Sequence, residues 1–550
     1  MSEPRATEAT AGRAGYLAPA REAVPGRPAL LPGAVIAAAT ALALGLRLYE
    51  LLHAGHLLGI GEYDEGADFG AALRLVHGTI PYRDFVVVQP PGITELMAPA
   101  AALSFVAPAA WTLAAGRLLT VAASCAGVVL GGVIARRRGL LATIVTCGLL
   151  AIYPGSVTAS RTVLLEPWLV LFCLAGAVLV FRGEELTGSP RLLAWGGAAF
   201  GAAGAIKVWA VLPFLVILAM CVRRPGRART APAFAAGALA GFLIPTAPFA
   251  VLAPRAFYDS VVLAQLERTG ARTPLGFRLQ AMTGLTGFRL PGAALLAAAL
   301  ILVVLVVAVQ VAAVMVSRRP PAPLDWFAVL TTLLVVIAFL VPADFYYHYP
   351  AFLAPFLALA LGLPLGRLLP APAGLRGRAE PHWPGGAGGR RHRAATALTV
   401  AAGVAFAALP LAVPGAEGAS LPDFSHATAM DRVIPDGACV LSDQVSVLIA
   451  VNRFFSDVPG CPVQVDGTGI SFALGHGHAA AQAGRYPAVA AIWASAFRRA
   501  QFVVLTMVNA RRIAWTPALR DYFRANFRLV GGPWQRLSLY ARSGGRGGGR

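Results

Sequence analysis

Apolar runs of about 20 residues recur along this chain from Leu31 to about Leu411. They limit what it can fold into more than any other feature. A helix needs a run of about that length to cross the hydrocarbon core of a bilayer. Its own hydrogen bonds then satisfy the backbone groups that lipid cannot. The charge content agrees. Of 550 residues only 13% are charged and 57% are hydrophobic, whereas a soluble chain carries roughly 25% charged residues. Much of the surface therefore does not face water. Beyond residue 411 the apolar runs become short.

The formal charge of +20 does not point to a nucleic-acid partner. The arginines stand in short clusters between apolar runs, as the positive-inside rule arranges them. No zinc-finger spacing or other nucleic-acid motif accompanies them. The clusters are Arg136–Arg138, Arg182 with Arg191, Arg223 to Arg229, Arg318–Arg319, and Arg367 to Arg393. All are placed in the cytoplasm, together with residues 1–30, which are polar, Pro- and Ala-rich, without a cleavable signal peptide, and read as disordered.

Spans then fall at about 33–53, 111–134, 139–157, 164–181, 192–205, 208–222, 231–252, 292–316, 325–343, 350–366 and 395–413. The expected fold is an α-helical polytopic membrane protein of about 11 transmembrane helices over residues 31–413. An odd count puts the N-terminus inside and the C-terminus outside. The stretch 192–222 carries arginines at both ends, so two short spans turning near Lys207 keep both clusters on one side. Ile93 to Pro108 is apolar but short, and reads as a re-entrant or interfacial helix.

This threading exposes four loops on the outer face: 53–110, 154–164, 254–291 and 343–349, with the turn at Lys207 beside them. Residues 414–542 are expected to form an extracytoplasmic α/β domain, because short apolar strands (GACVLSD, QFVVLTM) alternate with helical stretches (PAVAAIWASAFRRAQ). Residues 543–550 form a flexible tail. Cys125, Cys147, Cys173 and Cys221 lie in apolar spans as packing residues. Cys439 and Cys461 are the pair in the C-terminal domain, and outside the cell they are expected to form a disulfide.

The candidate chemistry is concentrated in the outer loops. The first loop holds Glu62, Asp64, Glu65, Asp68, Asp84 and Glu95, and no carboxylate follows until Glu166, at the head of a span. A carboxylate there is costly unless it is paired or lines a polar cavity. Two readings stand for it: a structural ion pair with Arg161, or a carboxylate facing a catalytic cavity opposite the first-loop acids. Lys207 is the only lysine in a chain with 46 Lys and Arg residues. It is either a snorkelling residue at a helix end or a point charge for a phosphate. In DFYYHYP, Tyr346 and Tyr347 fit an interfacial aromatic belt, while His348 and Tyr349 are candidates to touch a phosphate or a sugar. His476 and His478, in GHGH, lack the companions of a metal site, and GTGISFAL with GHGH is either a loop that approaches a ligand or one whose glycines serve turns and hinges.

The run YDEGADFGAALRLVHGTIPYRDFVVVQPPG resembles the opening loop of membrane glycosyltransferases of the GT-C fold. It is similar to that of the bacterial protein O-mannosyltransferase and aminoarabinose-transferase superfamily. The shared features are an Asp-Glu-Gly, a helix ending in Gly78, then PYRDF and Pro-Pro-Gly. Glu166 matches the family's second acidic position, where aspartate is common. Lys207 matches a basic residue between two short helices, and HYP a later interfacial segment. The resemblance covers roughly residues 30–370. One departure is clear: Asp68 stands where the family often has an aromatic residue.

The resemblance implies transfer of a sugar from a polyprenyl-phosphate donor to a cell-envelope glycan, lipid or protein, with inversion. Asp64 would be the general base or acceptor-orienting carboxylate, aided by Glu65 and Glu166. Arg161, Lys207, His348 and Tyr349 would hold the donor phosphate. No cofactor is implied, and a divalent metal is left open. The competing readings are a transporter or flippase, against which stands the lack of an internal repeat with paired broken helices, and a non-catalytic protein of envelope assembly.

Overall fold

The computed structural model describes residues 30–270, 272–368, 427–506, 512–534 and 537–543. The expectations for the N-terminal segment, the span at 395–413 and the tail beyond 543 lie outside the described residues.

All ten apolar segments expected before residue 368 are helical. Six helices are long and apolar enough to cross a membrane: Leu30–Leu52, Ala109–Arg138, Arg227–Leu252, Gly292–Ser317, Pro323–Leu340 and Pro350–Leu368. Leu140–Ile152 and Pro154–Ser160, bent by 51° at their junction, make a seventh if they form one broken span. The chain is thus a multi-pass helical membrane protein with six or seven candidate spans among the described residues, fewer than the eleven read from the sequence. The difference has a physical reason. Leu165–Val180, Pro190–Gly204 and Val211–Arg223 have 16, 15 and 13 residues. At 1.5 Å per residue they reach roughly 20–24 Å, short of a full crossing.

The bend at Pro154 is chemically prepared. Proline cannot donate to the preceding turn, and the carbonyls freed there need partners. Arg47, fully buried, donates to Leu150 O at 3.2 Å and Ala151 O at 2.9 Å. Elsewhere glycines let backbones touch. A Cβ on Gly197 or Gly201 would strike the backbone of Phe234 or Ala238, and one on Gly237 or Gly241 that of Ala194 or Ala198. The helices Pro190–Gly204 and Arg227–Leu252 therefore meet through reciprocal pairs of glycines four residues apart, the small-residue packing that lipid-embedded helices use. At the end of the bundle that carries the arginine clusters, Arg138 joins Glu184 (2.6 Å) and Asp325 (2.9 Å), and Arg367 shares Asp325 (2.6 Å).

The C-terminal region contains a four-stranded sheet ordered Val440–Ser442, Phe502–Thr506, Leu537–Arg542, Phe527–Trp534. The first pair is parallel and the others antiparallel. The helix Pro487–Arg499 covers it and buries Trp493 completely. Cys439 and Cys461 are joined by a disulfide, with Cα atoms 5.6 Å apart. This region sits directly on the first-loop helix Tyr63–Val76. Val445, Phe454 and Val465 line Gly70, and Ser446 backbone abuts Gly66.

Candidate active site

The helix Tyr63–Val76 begins where Glu62 holds an extended backbone, with ψ at 160°. Asp64 and Glu65 fill its first turn, where the helix dipole favours negative charge. Residues four apart share a helix face while neighbours diverge. Asp64 and Asp68 accordingly both line one cleft, and Glu65 points elsewhere.

Glu65 is a correction to the reading of the sequence. It is fully buried, paired to the Arg117 guanidinium and bonded by the Thr162 hydroxyl. Arg117 also donates to the carbonyls of His56, Leu57 and Gly59. The pair thus ties the first loop to the helix Ala109–Ala135, and Glu65 does not reach the cleft. Arg161 is the second correction. It pairs with Glu50 at 3.3 Å, away from the cleft lining, and makes no ion pair with Glu166.

Glu166 instead gathers the other expected residues. Lys207 Nζ donates to its Oε1 at 2.7 Å, and His348 Nδ1 lies 2.9 Å from its Oε2. His348 Nε2 lies 3.4 Å from Asp64 Oδ2. Lys207 also faces the rings of Trp209 and Tyr349 at 3.9 and 4.4 Å, a favourable cation–π arrangement. Asp64, Lys207, His348 and Tyr349 all line the cleft, and Glu166 supports them from beneath with no exposed surface. Among the described residues, no group of three or more His, Cys, Asp or Glu side chains is placed to hold a metal ion.

These neighbours set the charges. Burial alone pushes the His348 imidazole down, but Glu166 and then Asp64 outweigh it and lift it to about 9. Burial pushes the Asp64 carboxyl up, but His348, with Arg512 and Lys207 farther away, holds it below the usual carboxylate range. Asp64 is therefore ionised beside an imidazolium at neutral pH. Its side chain is 48% exposed, and the exposed part faces the cleft. Asp68, 3% exposed, has the opposite environment: burial, then Asp64 and Asp466, push its carboxyl well up.

The C-terminal region closes the cleft. Tyr63 hydroxyl donates to Asp466 Oδ1 at 2.8 Å and accepts from Thr468 N at 2.7 Å. Asp466 caps the helix Gly467–Leu474, which brings Thr468, Gly469 and Phe472 to the cleft wall. Arg268, from the loop before Pro291, stacks over Phe472 at 4.3 Å and lies 4.0 Å from Asp344. The strand bridge between Thr269 and His478 fixes that loop. Gly477, in the GHGH turn, takes a φ of +71° against the Glu267 backbone, a conformation that glycine adopts without strain.

The fold is similar to that of known structures. ArnT from Cupriavidus metallidurans bound to undecaprenyl phosphate superposes with a TM-score of 0.55 at 15% identity, covering 94% of this chain and 99% of that one. Its apo state gives 0.55, 15%, 92% and 98%. An oligosaccharyltransferase of Archaeoglobus fulgidus, tethered to an acceptor peptide, gives 0.52 at 11% identity, with 93% and 74% covered. The fold is that of the GT-C membrane glycosyltransferases. No protein-family model matches the sequence. No curated protein matches it either.

The GT-C fold explains why the cleft draws on such distant segments, and why sequence reasoning missed part of it. Arg268 is one of several arginines in its loop, and nothing in RTGART singles it out. Thr468 and Phe472 lie in GTGISFAL, a stretch of the C-terminal region read from the sequence as one that approaches a ligand or as a turn, while nothing local marks Asp466. Their presence follows only from the docking of that region on the first-loop helix.

Proposed function

We propose that this protein transfers a sugar from a polyprenyl-phosphate donor to a hydroxyl of a cell-envelope glycan, lipid or protein, on the extracytoplasmic face and with inversion. The observation that carries the reading is Asp64: an ionised, half-exposed carboxylate in the same cleft as Lys207, His348 and Arg268. Acceptor activation needs a base, and departure of a phosphate needs cations.

In this reading Asp64 takes the proton of the acceptor hydroxyl. The acceptor oxygen attacks the anomeric carbon from the face opposite the phosphate. The bond from that carbon to the phosphate oxygen breaks, and its electron pair leaves on the polyprenyl phosphate. A single displacement inverts the centre. His348 keeps Asp64 ionised, and Glu166 holds His348 and Lys207 in place. Arg268 is the cation best suited to grip phosphate oxygens, because its closest carboxylate is 4.0 Å away whereas Lys207 is bound at 2.7 Å. Tyr349 supports Lys207. A lipid carrier also accounts for a site at the bilayer boundary, since such a donor never leaves the membrane.

The test is sugar transfer by purified protein from a panel of radiolabelled polyprenyl-phosphate sugars to crude cell-envelope acceptor, with Asp64→Asn beside wild type. Transfer or donor hydrolysis that disappears in the variant supports the reading. Folded wild-type protein that acts on no donor overturns it. Orientation is tested separately with Lys207→Cys: labelling only from the cytoplasmic side would overturn the extracytoplasmic placement.

A further inference from the structure

Asp68 is the one carboxylate of the cleft lining that has no bonding partner among the described residues. Asp64 contacts His348, and Asp466 bonds Tyr63 and caps a helix. Among the described residues, Asp68 accepts no side-chain hydrogen bond and joins no ion pair, although it is only 3% exposed. Its carboxyl has no protein partner but keeps contact with the cleft, so a ligand there can complete it. That residual exposure opens into the cleft, one helical turn beyond Asp64 and on the same face.

The surroundings narrow the completing group. Among the described residues, no set of acidic, His or Cys side chains converges there in the manner of a metal site. The charges that act on Asp68 are those of Asp64 and Asp466, and of Lys207, which Glu166 offsets at 2.7 Å. An anionic group would meet repulsion from Asp64 and Asp466, whose charges act on Asp68 directly. A neutral polyol is the matching chemistry. A carboxyl group accepts from two adjacent hydroxyls, or donates to one when protonated. The cation best suited to phosphate in this cleft is Arg268, whose closest carboxylate is 4.0 Å away.

We propose that Asp68 is a specificity-determining residue that hydrogen-bonds ring hydroxyls of a sugar held in the cleft. The inference rests on the glycosyltransferase reading and deepens it. The sugar hydroxyls have two sources, the donor sugar or a glycan acceptor. The first-loop helix then divides its labour by turns: Asp64 takes the acceptor proton, and Asp68 selects the sugar.

The experiment compares wild type with Asp68→Ala in detergent micelles. Affinity is measured for polyprenyl phosphate alone and for the polyprenyl-phosphate sugar that wild type transfers, together with KM for the acceptor. Loss of a hydrogen bond from a ligand hydroxyl to a carboxyl reads as about tenfold or more. If the donor sugar is the ligand, the sugar-bearing lipid binds at least tenfold more weakly and the sugar-free lipid is unchanged. If the acceptor is the ligand, both lipids keep their affinity and acceptor KM rises by a similar factor. Equal weakening of both lipids, or no change in any of the three quantities, overturns the proposal. Binding of a divalent cation by wild type that Asp68→Ala abolishes also overturns it. If Asp68→Ala does not fold, Asp68→Asn is judged by the same criteria. Wild type that binds and transfers nothing defeats the glycosyltransferase reading itself. Normal transfer with an unresponsive Asp68 defeats this inference alone.

Discussion

Lys207, the only lysine of the chain, donates to the fully buried Glu166 at 2.7 Å across 41 residues of sequence. The pair joins the start of the helix Leu165–Val180 to the break between two short helices. Removing Lys207 leaves the buried Glu166 with His348 as its remaining charged partner at 2.9 Å, so the cost should stay below the ~3–5 kcal/mol of a fully orphaned charge. Lys207→Met is therefore expected to lower the thermal midpoint. Adding Glu166→Gln should recover part of the loss, because the under-compensated charge is gone. Thermal unfolding of the three proteins in detergent checks this. A double variant no more stable than Lys207→Met would break the account.

Adjacent carboxylates should fail in different ways. Asp64 is half-exposed into the cleft and Glu65 is fully buried against Arg117. Asp64→Asn is expected to keep the thermal midpoint and donor binding, and to lose transfer by roughly 10²–10⁴-fold. Glu65→Gln is expected to lose stability by about 3–5 kcal/mol, while its surviving folded fraction keeps donor binding. Unfolding curves measured beside transfer per folded molecule separate the two.

That contrast marks how far the sequence can be read. The apolar runs, the isolation of Glu166 and the lone lysine locate the membrane region and two of the residues that meet at the cleft, because each is conspicuous against a charge-poor background. Which of Asp64 and Glu65 faces inward depends on the rotational setting of one helix. Packing against Arg117, Ser446 and Val445 decides that setting, and no local pattern encodes it. Arg161 likewise chose Glu50 on the first span over Glu166 nearby in sequence. Arg268, in a loop, and Phe472, on the helix Gly467–Leu474, are more than 200 residues apart, and only the tertiary fold brings them together.

Stability should respond to pH through His348. Its pKa is raised to about 9 in the folded protein, against an unfolded value near 6.5. A raised pKa means that the folded state holds the proton more tightly. The stabilisation is then fully present below about pH 6.5 and is lost as pH rises through about 9. Every tenfold gain in proton affinity corresponds to about 1.4 kcal/mol. The wild-type thermal midpoint is expected to fall between pH 6.5 and 9, and His348→Gln to flatten that slope. Midpoints measured across this window, at constant ionic strength, decide the matter. A variant with the same slope as wild type would assign the effect to other groups.

Gly66 offers a test of the docking between the C-terminal region and the first-loop helix. Helix propensity alone favours alanine over glycine there by up to about 1 kcal/mol. The structure predicts the opposite sign. A Cβ at Gly66 would strike the Ser446 backbone nitrogen and lie 3.0 Å from its Cα, and backbone cannot swing aside as a side chain can. Gly66→Ala should therefore push the helix and the C-terminal region apart. That movement would loosen the Tyr63–Asp466 bond and the cleft wall that depends on it. Transfer should fall, and protease sites in the C-terminal region should open. Gly45→Ala is the control, because a Cβ there meets nothing within 4 Å and only the propensity gain remains. If Gly66→Ala behaves like Gly45→Ala in both readouts, the C-terminal region is not held by this contact.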